Sequence, residues 1–283
     1  MEIISIIAFI ILAPFIGGML AWLDRKITAR MQGRVGPPVY QPFYDVLKLL
    51  QKESLVVRRS QNFYMGFFLI AVIFTGALFF AGENILLVIF ALTLADIFFV
   101  LGAYKASSPY SFAGTQRELL QMMAYEPVMI LSAVGMYMVT KSFYIKEIVF
   151  FKSQLVFYLP GLLFAFLYVL AIKFRKSPFD LSTSHHAHQE LVKGVTTEFT
   201  GKTLAMIEVA HWYESVITLS FLYLFFGHNP VSALAAVAAG FFLVILIDNT
   251  FARVRWQLVL MSSWAIAVVF GLGNIFILFF ILK

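Results

Sequence analysis

ILLVIFALTLADIFFVLGAY, Ile85–Tyr104, carries one ionised side chain, Asp96, in an otherwise apolar run. A helix needs about 20 apolar residues to cross a bilayer, so this stretch reads as a transmembrane helix. A short polar turn, Gly82-Glu83-Asn84, separates it from a second apolar run before it. Moving outward in both directions, the same pattern recurs and gives eight candidate spans. They are Ile3–Leu23, Tyr64–Ala81, Ile85–Tyr104, Leu119–Val139, Val156–Ile172, Thr203–Phe226, Ala233–Ile247 and Gln257–Leu282. The expected fold is an all-α membrane protein of eight transmembrane helices, one transmembrane helical domain over residues 1–283. No linker, repeat or low-complexity tract divides it.

Composition agrees. The 283 residues are 61% hydrophobic, 17% aromatic and only 13% charged, about half the charge of a soluble domain. Cysteine is absent, which excludes disulfides, thiolate zinc sites and iron–sulfur ligation by this chain. The first apolar run has no basic segment before it and no small-residue cleavage site, so it reads as a retained helix. The net charge of +6 reports topology rather than nucleic-acid binding. With the N-terminus outside, loops 24–63, 105–118, 173–202 and 248–256 hold 8, 2, 5 and 2 basic residues, 17 of the 21. By the positive-inside rule these loops face the cytoplasm of a multi-pass cell-membrane protein, and both termini are external.

Within the first loop, PFYDVLKLLQKE (Pro42–Glu53) places Phe43, Val46, Leu47 and Leu50 at i, i+3, i+4 and i+7, an apolar helical stripe. Pro42 suits a first helical turn. Too short to span, this segment is expected to lie as an amphipathic helix on the membrane surface.

Ionisable groups inside spanning helices cost roughly 2.5–3.5 kcal/mol each on insertion scales, yet the sequence keeps several. Asp96 lies in the third candidate helix and Glu126 in the fourth, directly before Pro127. Glu208, His211 and Glu214 recur at i, i+3 and i+6 in the sixth, climbing one slowly turning face over about 9 Å. Carboxylates interleaved with an imidazole that titrates near neutrality suit proton transfer; a single buried acid such as Asp96 can instead pair with Lys, Arg or backbone, but the set of Asp96, Glu126, Glu208, His211 and Glu214 together reads as a polar pathway. Pro127 has no N–H, which frees the Met123 carbonyl for water or a side chain. The polar stretch SPFDLSTSHHAHQELVKGVTTEFTG, Ser177–Gly201, holds His185, His186 and His188. Its spacing matches no zinc motif, and it reads as a docking or proton-handling loop. No metal ligands, phosphate-binding glycine loop or Ser-His-Asp arrangement is expected.

The longer motifs resemble a known family. AWLDRKITARMQGRVGPPVYQPFYDVLKLLQKE, SSPYSFAGTQRELLQMMAYEP, SPFDLSTSHHAHQELVKGVTTEFTG and DNTFARVRWQLVLMSSW are similar to segments of the membrane subunit called subunit 1, or the H subunit, in respiratory complex I. The STSHHAHQELVKG run and the short first loop resemble the energy-converting branch of membrane-bound nickel–iron hydrogenases and formate hydrogenlyases. Two departures from the complex I pattern are visible: Asp24 stands where a glutamate is usual, and His211 aligns with the usual glutamate of the sixth helix.

The resemblance implies a non-redox, non-catalytic membrane anchor beneath a hydrophilic arm, within an ion-translocating oxidoreductase. It implies as partners a hydrogenase-like large subunit, an iron–sulfur small subunit and antiporter-like membrane subunits. The nickel–iron centre and iron–sulfur clusters would belong to those partners, and this chain would bind no cofactor. It implies an H⁺ or Na⁺ pathway that takes in Glu126, Glu190 and Glu198 and is continued by Glu208, His211 and Glu214. Arg30, Arg34, Arg117, His185, His186 and His188 are expected to dock the arm, with no quinone reduced here. Two alternatives are the equivalent subunit of a sulfur-reducing or quinone-reducing complex, and a free-standing ion transporter.

Overall fold

The computed structural model describes residues 2–53, 59–179, 182 and 193–281. Its regular elements are helical: α1 (Glu2–Met31), α2 (Gln41–Gln51), α3 (Arg59–Ala81), α4 (Ile85–Tyr104), α5 (Pro109–Thr140), α6 (Ile145–Val149), α7 (Pro160–Lys173), α8 (Gly201–Leu224), α9 (Pro230–Thr250), α10 (Trp256–Ile266) and α11 (Gly273–Ile281). A π-helical stretch, Ala267–Leu272, joins α10 to α11 in one continuous rod. Among the described residues, six helices are long and apolar enough to cross a membrane: α1, α3, α4, α5, α9 and the α10–α11 rod. The other two candidate spans form α7, an apolar helix of 14 residues, and α8, of 24 residues.

Local chemistry sets the boundaries. The Asn84 side chain accepts the Leu86 N–H at 2.9 Å and starts α4; Asn229, followed by Pro230, does the same for α9 through Val231 N–H at 3.0 Å. The helix expected from Val156 instead begins at Pro160, after a 3₁₀ turn at Leu155–Phe157. Proline has no N–H to donate and fits the first turn, where that donor would be orphaned. α1 runs eight residues past its apolar stretch to Met31 and carries Asp24, Arg25 and Arg30 with it. α5 begins ten residues before Leu119, so Arg117 and Glu118 are helical.

α8 sits at the centre, packed on α1, α2, α3 and α9. Its contact with α1 is backbone-close: a Cβ on Gly17 would lie 2.5 Å from Trp212 Cβ. Small residues permit such approach where lipid gives helices no hydrophobic drive to associate. α2 lies against α8 and α1. Its Phe43 ring meets Trp212 at 5.4 Å between centroids, while Leu47 and Leu50 are exposed.

Hydrogen bonds sort the connections into two ends. At one, Lys146 reaches Glu2 at 3.2 Å, Ile145 N–H reaches Glu83 O at 3.1 Å and Val156 N–H reaches Phe225 O at 3.0 Å. At the other, Trp22 donates to Pro37 O at 3.1 Å, Asn249 to Thr28 at 3.1 Å, and Gln121 to Phe179 O at 2.5 Å. The loops rich in Lys and Arg share this second end.

Candidate functional site

The site is built on the end of α7. Lys176 N–H bonds to Ala171 O at 3.1 Å and Arg175 N–H to Ile172 O at 2.9 Å, while Arg175 takes a left-handed φ of 52°. This is the Schellman way to end a helix, a place where glycine is usual. The sharp turn fans three successive cations, Lys173, Arg175 and Lys176, towards different helices, and all three also favour the negative end of the α7 dipole.

Lys173 Nζ lies 2.6 Å from Asp96 Oδ2 on α4 and 2.6 Å from Glu214 Oε1 on α8. The Tyr125 hydroxyl on α5 donates to Asp96 Oδ2 at 2.6 Å and accepts from Lys173 at 3.1 Å. Arg175 grips Glu118 of α5 at 2.6 and 3.0 Å and reaches Glu214 Oε2 at 3.5 Å, with its guanidinium over the Phe99 ring. Four elements are thus tied by one network whose side chains are at most 10% exposed. Lys176 ties the neighbouring corner, 2.5 Å from Asp24 on α1 and 3.4 Å from Asp248 on α9. Asp248 Oδ1 also accepts Ser177 N–H at 2.9 Å. Burial works against the charge of Arg175, yet Glu118 and then Glu214 outweigh it and push its pKa up. Burial likewise opposes the charge of Lys176, and Asp24 with Asp248 overcomes it, so its pKa is also raised.

Beside this network opens a cavity of about 610 Å³. Arg25, Arg34 and Lys193 line its basic part and Glu208, His211 and Glu214 its wall on α8, with Lys173 and Arg175 bordering it as well. The His211 ring stands edge-on to Phe68 and Phe99. The expected ladder of Glu208, His211 and Glu214 therefore does share one cavity face. Asp96 joins it through Lys173.

Glu126 lies elsewhere, half-buried in a second, largely apolar groove of about 450 Å³ with Met123, Pro127, Trp264, Val268 and Leu272. The carbonyl released by Pro127 is taken by a side chain: Trp264 Nε1 donates to Met123 O at 3.1 Å. Glu198 is half-buried in the segment before α8 and does not line the cavity. Arg30, Arg34 and Arg117 are exposed, and Arg34 hydrogen-bonds the Gln32 side chain at the cavity. Glu190, His185, His186 and His188 lie outside the described residues.

Glu118, Tyr125, Lys173 and Arg175 are absent from the sequence-derived pathway. Lys173 and Arg175 count there only among the basic residues of loop 173–202, and the structure buries both. The signal is the KFRK run directly after an apolar helix, in a chain whose buried acids need partners.

A helical scaffold of membrane-crossing length, with buried ion pairs beside a polar cavity, makes this chain a membrane subunit of a complex I-like oxidoreductase. The family model for NADH dehydrogenase matches residues 3–279, and the chain belongs to that family. The NADH-quinone oxidoreductase H subunit of Bacillus mycoides (strain KBAB4) is 29% identical over 309 residues, covering 96% of this chain and 90% of the relative. Its counterpart in Bacillus cereus (strain B4264) matches to the same extent. Among solved structures, a chain of the membrane-bound sulfane sulfur reductase, an archaeal respiratory membrane complex, has the same fold. The TM-score is 0.81 at 24% identity, covering 96% of this chain and 99% of that one.

Proposed function

We propose that this chain is the membrane-anchor and ion-coupling subunit of a multi-subunit energy-converting hydrogenase. It docks the nickel–iron and iron–sulfur arm and links redox chemistry there to H⁺ or Na⁺ translocation. The observation that carries this reading is the cavity itself, which joins the basic Arg25, Arg34 and Lys193 to a buried network of carboxylates and cations. A charge change in an arm seated over such a cavity is felt at Lys173 and Glu214 through low-dielectric surroundings, where charges interact strongly.

In this reading α7 and α8 also cross the bilayer, giving eight spans, and the end rich in Lys and Arg is cytoplasmic with both termini external. α2 lies at the membrane surface. Arg30, Arg34, Arg117 and the segment with His185, His186 and His188 meet the arm. Asp96, Glu126, Glu190, Glu198, Glu208, His211 and Glu214 serve the ion pathway, and no quinone is reduced. Affinity purification through this chain tests the assignment: hydrogenase-like large and small subunits should co-purify with hydrogen-evolving or hydrogen-consuming activity. Co-purification of a quinone-reducing arm would overturn it.

A second reading, the equivalent subunit of a sulfur-reducing complex, is favoured by the fold shared with the sulfane sulfur reductase chain. Sulfur-dependent activity of the same purified complex, without hydrogenase activity, would select it.

A further inference from the structure

Among the described residues, two spanning helices carry an interior proline, Pro14 in α1 and Pro127 in α5. Each lacks the N–H that would bond the carbonyl four residues earlier. In both cases an aromatic donor from another helix takes that carbonyl. Trp264 serves Met123 O, and the Tyr213 hydroxyl on α8 donates to Ile10 O at 2.7 Å. The joint in α1 stands directly outside the cavity. Packing along α1 changes there. Before the proline, Phe9 and Ala13 are buried, and the Phe9 ring meets Tyr213 edge-on at 5.5 Å. Just after it, Gly17 and Gly18 are buried, Gly17 against Trp212 of α8. The next buried residue of α1 is Ala29. Between them Ala21, Asp24 and Thr28 form one stripe, and Leu204, Glu208 and His211 form the matching stripe on α8. Neighbouring helices with such stripes ordinarily interlock. Here both stripes line the cavity instead. α1 and α8 are in contact as far as Gly17 and Trp212, and parted towards the end rich in Lys and Arg.

We propose that Pro14 bends α1 away from α8, that the bond from Tyr213 to Ile10 O fastens the bend, and that this joint keeps the cavity open. Neither residue lines the cavity, so both are positioning residues that act through the α1 wall. The cause is steric: an interior proline ring clashes with the carbonyl four residues back and kinks the helix. Sharp kinks of this kind exceed about 20°. A donor from outside the helix then fixes the displaced carbonyl, where a straight helix would have bonded it internally. With α1 straight, Ala21 and Asp24 would close on Glu208 and His211, and the cavity would be lost to helix packing. The inference deepens the ion-coupling reading and rests on it only for the use made of the cavity.

The chain has no cysteine, so pairs of cysteines introduced into it can carry spin labels in the intact purified complex. Pulsed electron paramagnetic resonance then reads their separation, against the complex without them as background. One pair is Met31→Cys at the end of α1 with Lys202→Cys in the first turn of α8. The control pair, Ile4→Cys with Phe90→Cys, lies on the other side of the joint. Met31 is 17 residues past Pro14, about 25 Å of helix, so removing a kink of about 20° moves it by about 9 Å. Pro14→Ala restores the internal donor to Ile10 O. The separation of the first pair should shorten by up to about that amount, and the control pair should not move. The thermal midpoint should hold or rise while ion pumping falls, the reverse of what loss of a merely structural residue does. An unchanged first separation overturns the proposal, whatever pumping does. A shortened separation with pumping intact keeps the bend and sinks the use of the cavity in coupling. If Pro14→Ala does not assemble, Tyr213→Phe decides: it frees the joint but keeps the proline, so the first separation should broaden. A distribution as narrow as the parent's overturns the joint.

Discussion

Asp96 and Glu126 are both acids in apolar helices, one on α4 and one on α5, and their surroundings differ completely. Asp96 is enclosed, with a tyrosine hydroxyl and a lysine at 2.6 Å. Glu126 stands half-buried in a groove walled by Met123, Pro127 and Trp264. The first acid is part of what holds four elements together, whereas the second lines a groove apart from that network. An ionisable residue in a spanning helix therefore announces neither a pathway nor a structural pair until its neighbours are known.

The largest effect should come from breaking the enclosed region. Lys173→Met removes the cation shared by Asp96 and Glu214 and leaves their charge uncompensated. Removing one partner of a buried pair costs about 3–5 kcal/mol, a large share of a protein's net stability. The thermal midpoint of the detergent-solubilised complex should fall sharply and less subunit should accumulate in membranes. Glu126→Gln, in the groove, should change the midpoint by less than about 0.5 kcal/mol equivalent. Equal losses in the two variants would erase the distinction between the regions.

Next comes the cavity wall. Glu208→Gln keeps shape and much of the hydrogen bonding but removes a titrating proton. Assembly should persist, ion pumping should fall at least about tenfold, short of the full loss of what positioned proton transfer contributes, and electron transfer to artificial acceptors at the arm should survive. Pumping at the wild-type rate would make Glu208 a structural residue like those of the enclosed network.

How much of this contrast is legible in the sequence depends on the kind of residue. The long helices follow from apolar runs such as Ile85–Tyr104, and the shared face of Glu208, His211 and Glu214 follows from their three-residue spacing. The freed Met123 carbonyl follows from Pro127, although its taker, Trp264, lies 141 residues away. The ion pairs are not legible. Lys173 and Asp96 are 77 residues apart, and no local pattern distinguishes a lysine that turns inward at a helix end from one that marks the cytoplasmic side. Arg175 in a left-handed conformation is equally silent, because the expected signal there is glycine.

A smaller, pH-dependent effect separates the two salt-bridge corners from the groove. Lys176 has a pKa raised by Asp24 and Asp248 against the pull of burial. A lysine whose folded pKa exceeds its unfolded value stabilises fully below the ordinary lysine pKa, and this is lost as pH climbs through the raised one. The stability gap between wild type and Lys176→Met should stay constant from neutral pH to about pH 10 and narrow above it. A gap that instead narrows between neutral pH and about pH 9 would show that the ammonium is not held by the two aspartates.

The groove holds one more testable bond, at the Met123 carbonyl. Trp264→Phe keeps a ring against Met123 and Val268 but removes the Nε1–H that satisfies the Met123 carbonyl. That carbonyl has no intrahelical donor because position 127 is proline, so the substitution leaves it to water or to nothing. A single hydrogen bond of this kind is worth about 0.5–1.5 kcal/mol net, and the midpoint should fall by that much, well short of Lys173→Met. Restoring the backbone donor with Pro127→Ala in the Trp264→Phe background should recover the loss, since the new backbone N–H at position 127 can then bond Met123 O within the helix. If Trp264→Phe is neutral, or Pro127→Ala gives no recovery, the indole is packing rather than bonding there.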